Sequence, residues 1–173
     1  MAATTVTFTG TVEATPAIML PRQHGADLKI YANTVEVATT ELNEADDRTM
    51  VLALPGNSRL IDLVLFNDDL DSNGSPALTV DIGLFYGDGV AGQTAGTAID
   101  DDCFATAITT LQAANTTGVR VGFEALDINK IGKPLWEIAG LTRDPGLVYI
   151  GLSVAVGAGT AAAGTVSMYA VVA

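Results

Sequence analysis

Apolar side chains recur at every second position along this 173-residue chain. Val148, Ile150, Leu152, Val154 and Val156 form one such run, and Val166, Met168, Ala170 and Val172 another. A period of two places them on one side of a β-strand, and little else can bury such a pattern. The stretch 59–85 shows it best. Ile61, Leu63 and Leu65 share one face of a first run; Leu78, Val80, Ile82 and Leu84 share one face of a second, opposite Thr79, Asp81 and Gly83. Between the runs lies a connection rich in Asp, Asn, Gly, Ser and Pro. The two runs are expected to pair, although the connection is long for a hairpin.

Further strands are expected at 28–37, 49–54, 119–124 and 135–139, separated by turn-forming residues such as Pro55-Gly56-Asn57. Phe104, Ala107, Ile108 and Leu111 fall at helical spacing, which predicts one short helix over 101–114. Asp100, Asp101 and Asp102 would cap its start, with Asn115 and Gly118 ending it. About eight or nine strands, one helix and no βαβ alternation define a mainly β chain, an antiparallel β-sandwich of jelly-roll-like design. The sandwich domain is expected over 28–173. Residues 1–27 differ: Thr4, Thr5, Thr7, Thr9 and Thr11 alternate with Val6, Phe8 and Val12, and Pro16 and Pro21 follow. They read as an N-terminal extended arm or an edge strand, the arm form reaching a neighbouring subunit.

Charge narrows the partners. The net charge is −12 and the sequence pI is about 4.1. Neutralising phosphates needs a Lys/Arg surface, so nucleic acid and anionic membranes are not expected partners. No basic region followed by an apolar core opens the sequence, so no secretory signal is expected. No apolar run approaches the ~20 residues of a membrane-spanning helix. With one cysteine there is no intrachain disulfide, and stability must come from packing or assembly.

Residues that could carry chemistry have simpler readings. His24, the one histidine, sits in an irregular stretch and reads as a surface residue rather than part of a catalytic relay. Cys103 reads as a small buried hydrophobe. Asp69, Asp71, Asn73 and Gly74 match the first half of a calcium loop, but Val80 stands where such a loop needs a bidentate Glu. An Asx and glycine turn is the expected role of Asp69–Asn73, with calcium the alternative. Trp136 and Tyr149 could form a sugar platform, but packing is the expected role. The glycines between Tyr86 and Ala98 lack the Gly-Lys-Ser/Thr of a phosphate loop. No catalytic, cofactor-binding or metal-binding residue is assigned, and neither an enzyme nor a small-molecule substrate is expected.

One resemblance goes further. Val-Glu-Val-Ala at 35–38, Met-Val-Leu-Ala-Leu-Pro at 50–55 and Ser-Arg-Leu-Ile-Asp-Leu-Val-Leu-Phe at 58–66 come in a fixed order. Asp-Asp-Leu-Asp-Ser-Asn-Gly-Ser-Pro at 68–76 and Leu-Thr-Val-Asp-Ile-Gly-Leu at 78–84 follow. With the closing strands 147–172, this order resembles the decoration, or cement, proteins of tailed-bacteriophage capsids. The resemblance covers roughly half the chain and rests on strand and turn signals; residues 1–24 and 118–146 lie outside it. It implies a homotrimeric β-sandwich on the outer surface of an icosahedral virion, made in the host cytoplasm, that binds the major capsid protein and bridges its subunits. It brings no catalytic residues. Arg22, Lys29, Arg48, Arg59, Arg120, Lys130, Lys133 and Arg143 are then candidates to meet acidic shell loops. The alternatives are a jelly-roll carbohydrate-binding module and another virion component, such as a tail or head-fibre protein.

Overall fold

The structure, a computed structural model, describes residues 28–173. They form eight strands: β1 (Lys29–Val37), β2 (Arg48–Pro55), β3 (Leu60–Asn67), β4 (Thr79–Tyr86), β5 (Ala98–Ile108), β6 (Asn115–Arg120), β7 (Leu147–Val156) and β8 (Gly164–Val172). Two four-stranded antiparallel sheets result, β1-β8-β3-β6 and β2-β7-β4-β5, here sheets A and B. Nearly every connection crosses from one sheet to the other, and the order is that of an eight-stranded jelly roll.

The alternation seen in the sequence makes the core. Val148, Ile150, Leu152 and Val154 of β7 face Val166, Met168, Ala170 and Val172 of β8 across it, with Val80, Ile82, Leu84, Leu63 and Leu65 filling the space between. All are buried. Burying such side chains stabilises by about 1.5–3 kcal/mol each before entropy is counted.

Four sequence expectations need correction. The runs at β3 and β4 do not pair with each other: β3 lies in sheet A and β4 in sheet B. Alternation fixes which side of a strand is dry but not which sheet it joins. The intervening loop is long because it crosses the sandwich end, where Leu70 plugs the core. The helix expected over 101–114 is instead strand β5 followed by a 3₁₀ turn at Thr110–Gln112. Pairing on β4 jumps from Ile82 opposite Ala105 to Leu84 opposite Asp100, so residues 101–104 bulge out against the single Gly83. That bulge breaks the period of two and imitates helical spacing, while Thr106, Ile108, Thr109 and Thr110 are poor helix formers. Asn115 and Gly118, expected to end a helix, lie inside β6 (Asn115–Arg120), which begins four residues before the run expected at 119–124 and ends at Arg120. Finally, 135–139 is not a strand: Leu135–Ile138 is one helical turn, α1, opened by Pro134 and burying Leu135 and Ile138.

Candidate interaction surfaces

Residues directly opposite in adjacent strands share a face. In sheet A, Ile30 stands opposite Val171, Ala32 opposite Tyr169 and Thr34 opposite Ser167. On the other side of β8, Asp62, Val64 and Phe66 of β3 stand opposite the same Val171, Tyr169 and Ser167. Their neighbours Leu63, Leu65, Met168, Ala170 and Val172 point into the core, so this set forms the outer face of sheet A. Phe66 and Tyr169 pack with ring centroids 6.1 Å apart. Thr34 and Ser167 join hydroxyls at 2.6 Å. A shallow depression of about 540 Å³ lies over Ala32, Thr34, Phe66, Ser167 and Tyr169. The charges on this part of the face compensate each other, Arg120 Nε lying 3.3 Å from Asp62 Oδ2. Gly118 on β6 is required here: its φ is +81°, and a Cβ would lie 2.7 Å from the Phe66 ring.

The outer face of sheet B has the opposite character. Asp81, Gly83 and Phe85 stand opposite Ser153, Gly151 and Tyr149. The β5 bulge lies directly over Gly83, where a Cβ would overlap the backbone of Asp100 and Asp101. Arg48 stacks 5.9 Å from the Phe85 ring centroid and helps to seal it. Asp101 Oδ2 lies 3.4 Å from Ser153 Oγ, and Asp81 Oδ1 accepts the Ala107 amide at 2.6 Å, holding Ala107 at φ +49°. Burial raises the pKa of Asp81, with Asp102 and Asp101 adding to it against the Ala107 hydrogen bond. Burial likewise raises that of Asp100, as does its hydrogen bond to Asp102, while Lys130 at 3.7 Å opposes the shift. The aspartates expected to cap a helix therefore form the acidic outer layer of a sheet.

Asp71 carries the structural work of the Asp69–Asn73 loop. Its side chain is 1% exposed. Oδ2 accepts the amides of Ala77, Leu78 and Gly159 at 2.7, 3.0 and 3.0 Å, and Oδ1 accepts Thr160 at 2.9 Å. Burial works against its ionisation, but the amides of Thr160, Gly159, Leu78 and Ala77 together outweigh it and hold the carboxyl far below its usual range. It ties the β3–β4 loop to the β7–β8 loop. Asp69 and Asn73 make Asx turns to Asp71 and Ser75. Among the described residues no group of three or more His, Cys, Asp or Glu is placed to hold a metal.

The remaining candidates fall as follows. Cys103 is buried, and burial pushes its thiol pKa up. Trp136 is half-buried in α1, and Tyr149 donates its hydroxyl to Asp88 at 2.6 Å. Arg59 bonds the Gly132 carbonyl, and Lys133 lies 4.0 Å from Glu137. With Arg48, Arg120 and Lys130 also engaged within the fold, Lys29 and Arg143 are left without an ion pair among the described residues. His24, Arg22 and the arm at 1–27 lie outside the described residues. The sequence reading missed both the open face of sheet A and the Asp71 clamp. The first had a signal, since Tyr169 and Val171 are bulky at positions that should face water.

No family model matches the chain, and no curated protein matches it. Among solved structures, the chain is similar to a chain of the cyanophage Pam1 capsid asymmetric unit, with 21% identity, a TM-score of 0.56 and 86% of each chain covered. It is also similar to a chain of the capsid of Ralstonia phage GP4, with 25% identity, a TM-score of 0.55 and 83% of each chain covered. The jelly roll described here is thus a fold found in phage capsid assemblies.

Proposed function

We propose that this chain is a structural protein of a phage virion: a homotrimeric decoration protein that seats on the outside of an icosahedral shell and bridges subunits of the major capsid protein. The observation that carries this reading is the fold likeness to chains of two phage capsids, spanning 86% and 83% of both partners. The order of strand and turn signals over 25–86 and 147–172 supports it independently.

The surface chemistry fits a mechanical role. On a chain of net charge −12, a partner approaches most easily where charge is compensated. The outer face of sheet A offers this, with Phe66, Tyr169 and Val171 as apolar contacts and Asp62 neutralised by Arg120. Aromatic anchors on such a face dominate binding energy, each worth about 2 kcal/mol or more when well packed. Three modest contacts presented by one trimer then add through effective concentration.

The reading is tested by adding purified protein to expanded shells that lack it and imaging them by cryo-electron microscopy. Density on the outer surface and higher shell melting temperatures are expected. Tyr169→Asp should cut uptake by about thirtyfold, the loss of one strong anchor, measured at a temperature at which the variant's own thermal transition shows it folded. Shells that bind neither protein, or bind both equally, would remove this assignment of function or of face respectively.

A further inference from the structure

Strands β1 and β2 are the neighbouring edges of the two sheets, and the gap between them is a groove of about 480 Å³ lined by Tyr31, Asn33, Met50, Leu52, Ala53 and Tyr149, among others. Not one lining residue is charged. The free side of β1 has no backbone partner among the described residues; one side-chain bond, from Asn33 Nδ2 to the Val51 carbonyl at 2.9 Å, crosses the groove. β1 is nine residues long, lacks proline and holds Ile30 72% exposed. A long, unprotected edge of this kind is a template for another strand.

The chain itself contains a segment that suits the groove. Residues 1–12 carry no charged side chain, in a protein of net charge −12. From position 5 onward Thr5, Thr7, Thr9 and Thr11 occupy the odd positions, while Val6, Phe8 and Val12, with Gly10 between, fall on even ones. That is one wet and one dry strand face. The segment connects to Leu28, next to the start of β1, which is the wall of the groove. Between them, Pro16 and Pro21 favour extended backbone, and residues 13–27 can span up to ~50 Å.

We propose that residues 4–12 of a neighbouring copy lie along this groove as an added strand, the dry face against Tyr31, Met50 and Leu52. With up to ~50 Å of connection, residues 4–12 can reach the groove of a neighbouring copy as well as their own, and only the first arrangement links copies. Donation around a ring of three closes a head-to-tail contact without a free end, and main-chain pairing supplies the affinity. This inference rests on the homotrimer reading and names the contact that would hold the trimer together.

The test uses the full chain, Phe8→Cys and Ala53→Cys variants, and a chain lacking residues 1–12. The native Cys103 is buried and stays silent. Mixing single F8C copies with single A53C copies should give a disulfide between chains. The A53C thiol should be at least tenfold slower to react with a maleimide in the full chain than in the shortened one. The shortened chain should sediment as a monomer with an intact thermal transition. A shortened chain that remains a trimer, with the A53C thiol equally reactive in both, would overturn the strand exchange and leave the trimer standing. A full chain that sediments as a monomer would overturn both. In a doubly substituted F8C/A53C chain, a disulfide formed only within single chains of a trimer would overturn the exchange between copies.

Discussion

The two outer faces of the sandwich are built from the same alternating strands and finish with opposite properties. Sheet A leaves Phe66, Tyr169 and Val171 open beside a compensated Asp62–Arg120 pair. Sheet B collects Asp81, Asp100, Asp101 and Asp102 and then covers itself, because β5 bulges back over Gly83. The difference is one of closure. A face that its own chain covers is finished, and its acidity keeps other acidic surfaces away. A face of paired strands whose Asp62 is compensated by Arg120 is still available to a partner. Charge is therefore arranged differently on the two faces: sheet B gathers four aspartates around its bulge, whereas sheet A pairs Asp62 with Arg120 and leaves Glu36 exposed on β1.

The largest way to break this contrast is Gly83→Val. Any side chain there meets the backbone of Asp100 and Asp101, so β5 must leave β4 and sheet B loses its cover. We expect more than about 3 kcal/mol of destabilisation, above the usual range of overpacked sites because backbone blocks relief, measured by urea unfolding. A stable variant with an unchanged midpoint would mean that β5 does not seal the sheet. Next comes Asp71→Ala, which acts on the seam shared by both sheets. It leaves the amides of Ala77, Leu78, Gly159 and Thr160 without their acceptor. A cost of about 3 kcal/mol is expected, with hydrogen exchange rising at both tied loops together. Exchange at only one of them would show that Asp71 does not join them.

Gly118→Ala probes the open face. It places a side chain at φ +81° and pushes a methyl group into Phe66, for about 2 kcal/mol. Because Phe66 supports Tyr169, shell uptake should fall further than stability alone explains.

Much of this was legible in the sequence, and the failures have physical causes. The alternation of β1, β4 and β8 survives because each has one dry side; in β3 and β7 it holds except at Ile61 and Val156, which the register shifts there leave exposed. Residues 98–108 defied the reading because a bulge adds residues on one strand only, so Cys103, Phe104 and Ala105 are all buried in succession. A pattern of periods cannot register a partner's geometry. The same applies to the supposed pairing of β3 with β4: which sheet each strand joins is set by three-dimensional closure, and Leu70 and Asp71 turn the connection inward. The surfaces were only half visible. Tyr169 and Val171 could have been noticed as bulky residues on the wet side, but the neutralisation of Asp62 by Arg120 depends on β6 lying beside β3.

Acid separates the faces with a smaller effect. Asp81 and Asp100 have pKa values raised in the fold, so folding favours their protonated forms. Their contribution to stability is missing at neutral pH, grows as pH falls through the folded values and is complete below the unfolded value of about 3.9. Asp71 has the opposite sign: its contribution is present above about 3.9 and is lost as pH falls beneath that toward its lowered folded value. Melting temperature should therefore rise on mild acidification from neutrality and fall again below about pH 4. Asp81→Asn should flatten the rising limb and leave the falling one in place. A melting temperature that declines steadily from neutral pH downward would deny sheet B its acidic strain.

The smallest expected effect falls on the neutralising pair. Arg120 is exposed over 80% of its side chain, so its bond to Asp62 is formed largely in water. Asp62→Ala should change stability by less than about 0.5 kcal/mol, as exposed pairs do. Its effect on the face is larger than on the fold, because it leaves Arg120 as an uncompensated positive charge beside Val64 and Tyr169. If the partner surface is neutral or apolar at this point, uptake on shells should weaken with little change in the melting temperature. Raising salt from 50 to 500 mM should restore part of the loss, since the screening length falls from above about 10 Å to about 4 Å. Tighter uptake by Asp62→Ala than by the parent would instead place a carboxylate of the shell against Arg120, and would reverse the view that neutrality is what opens sheet A.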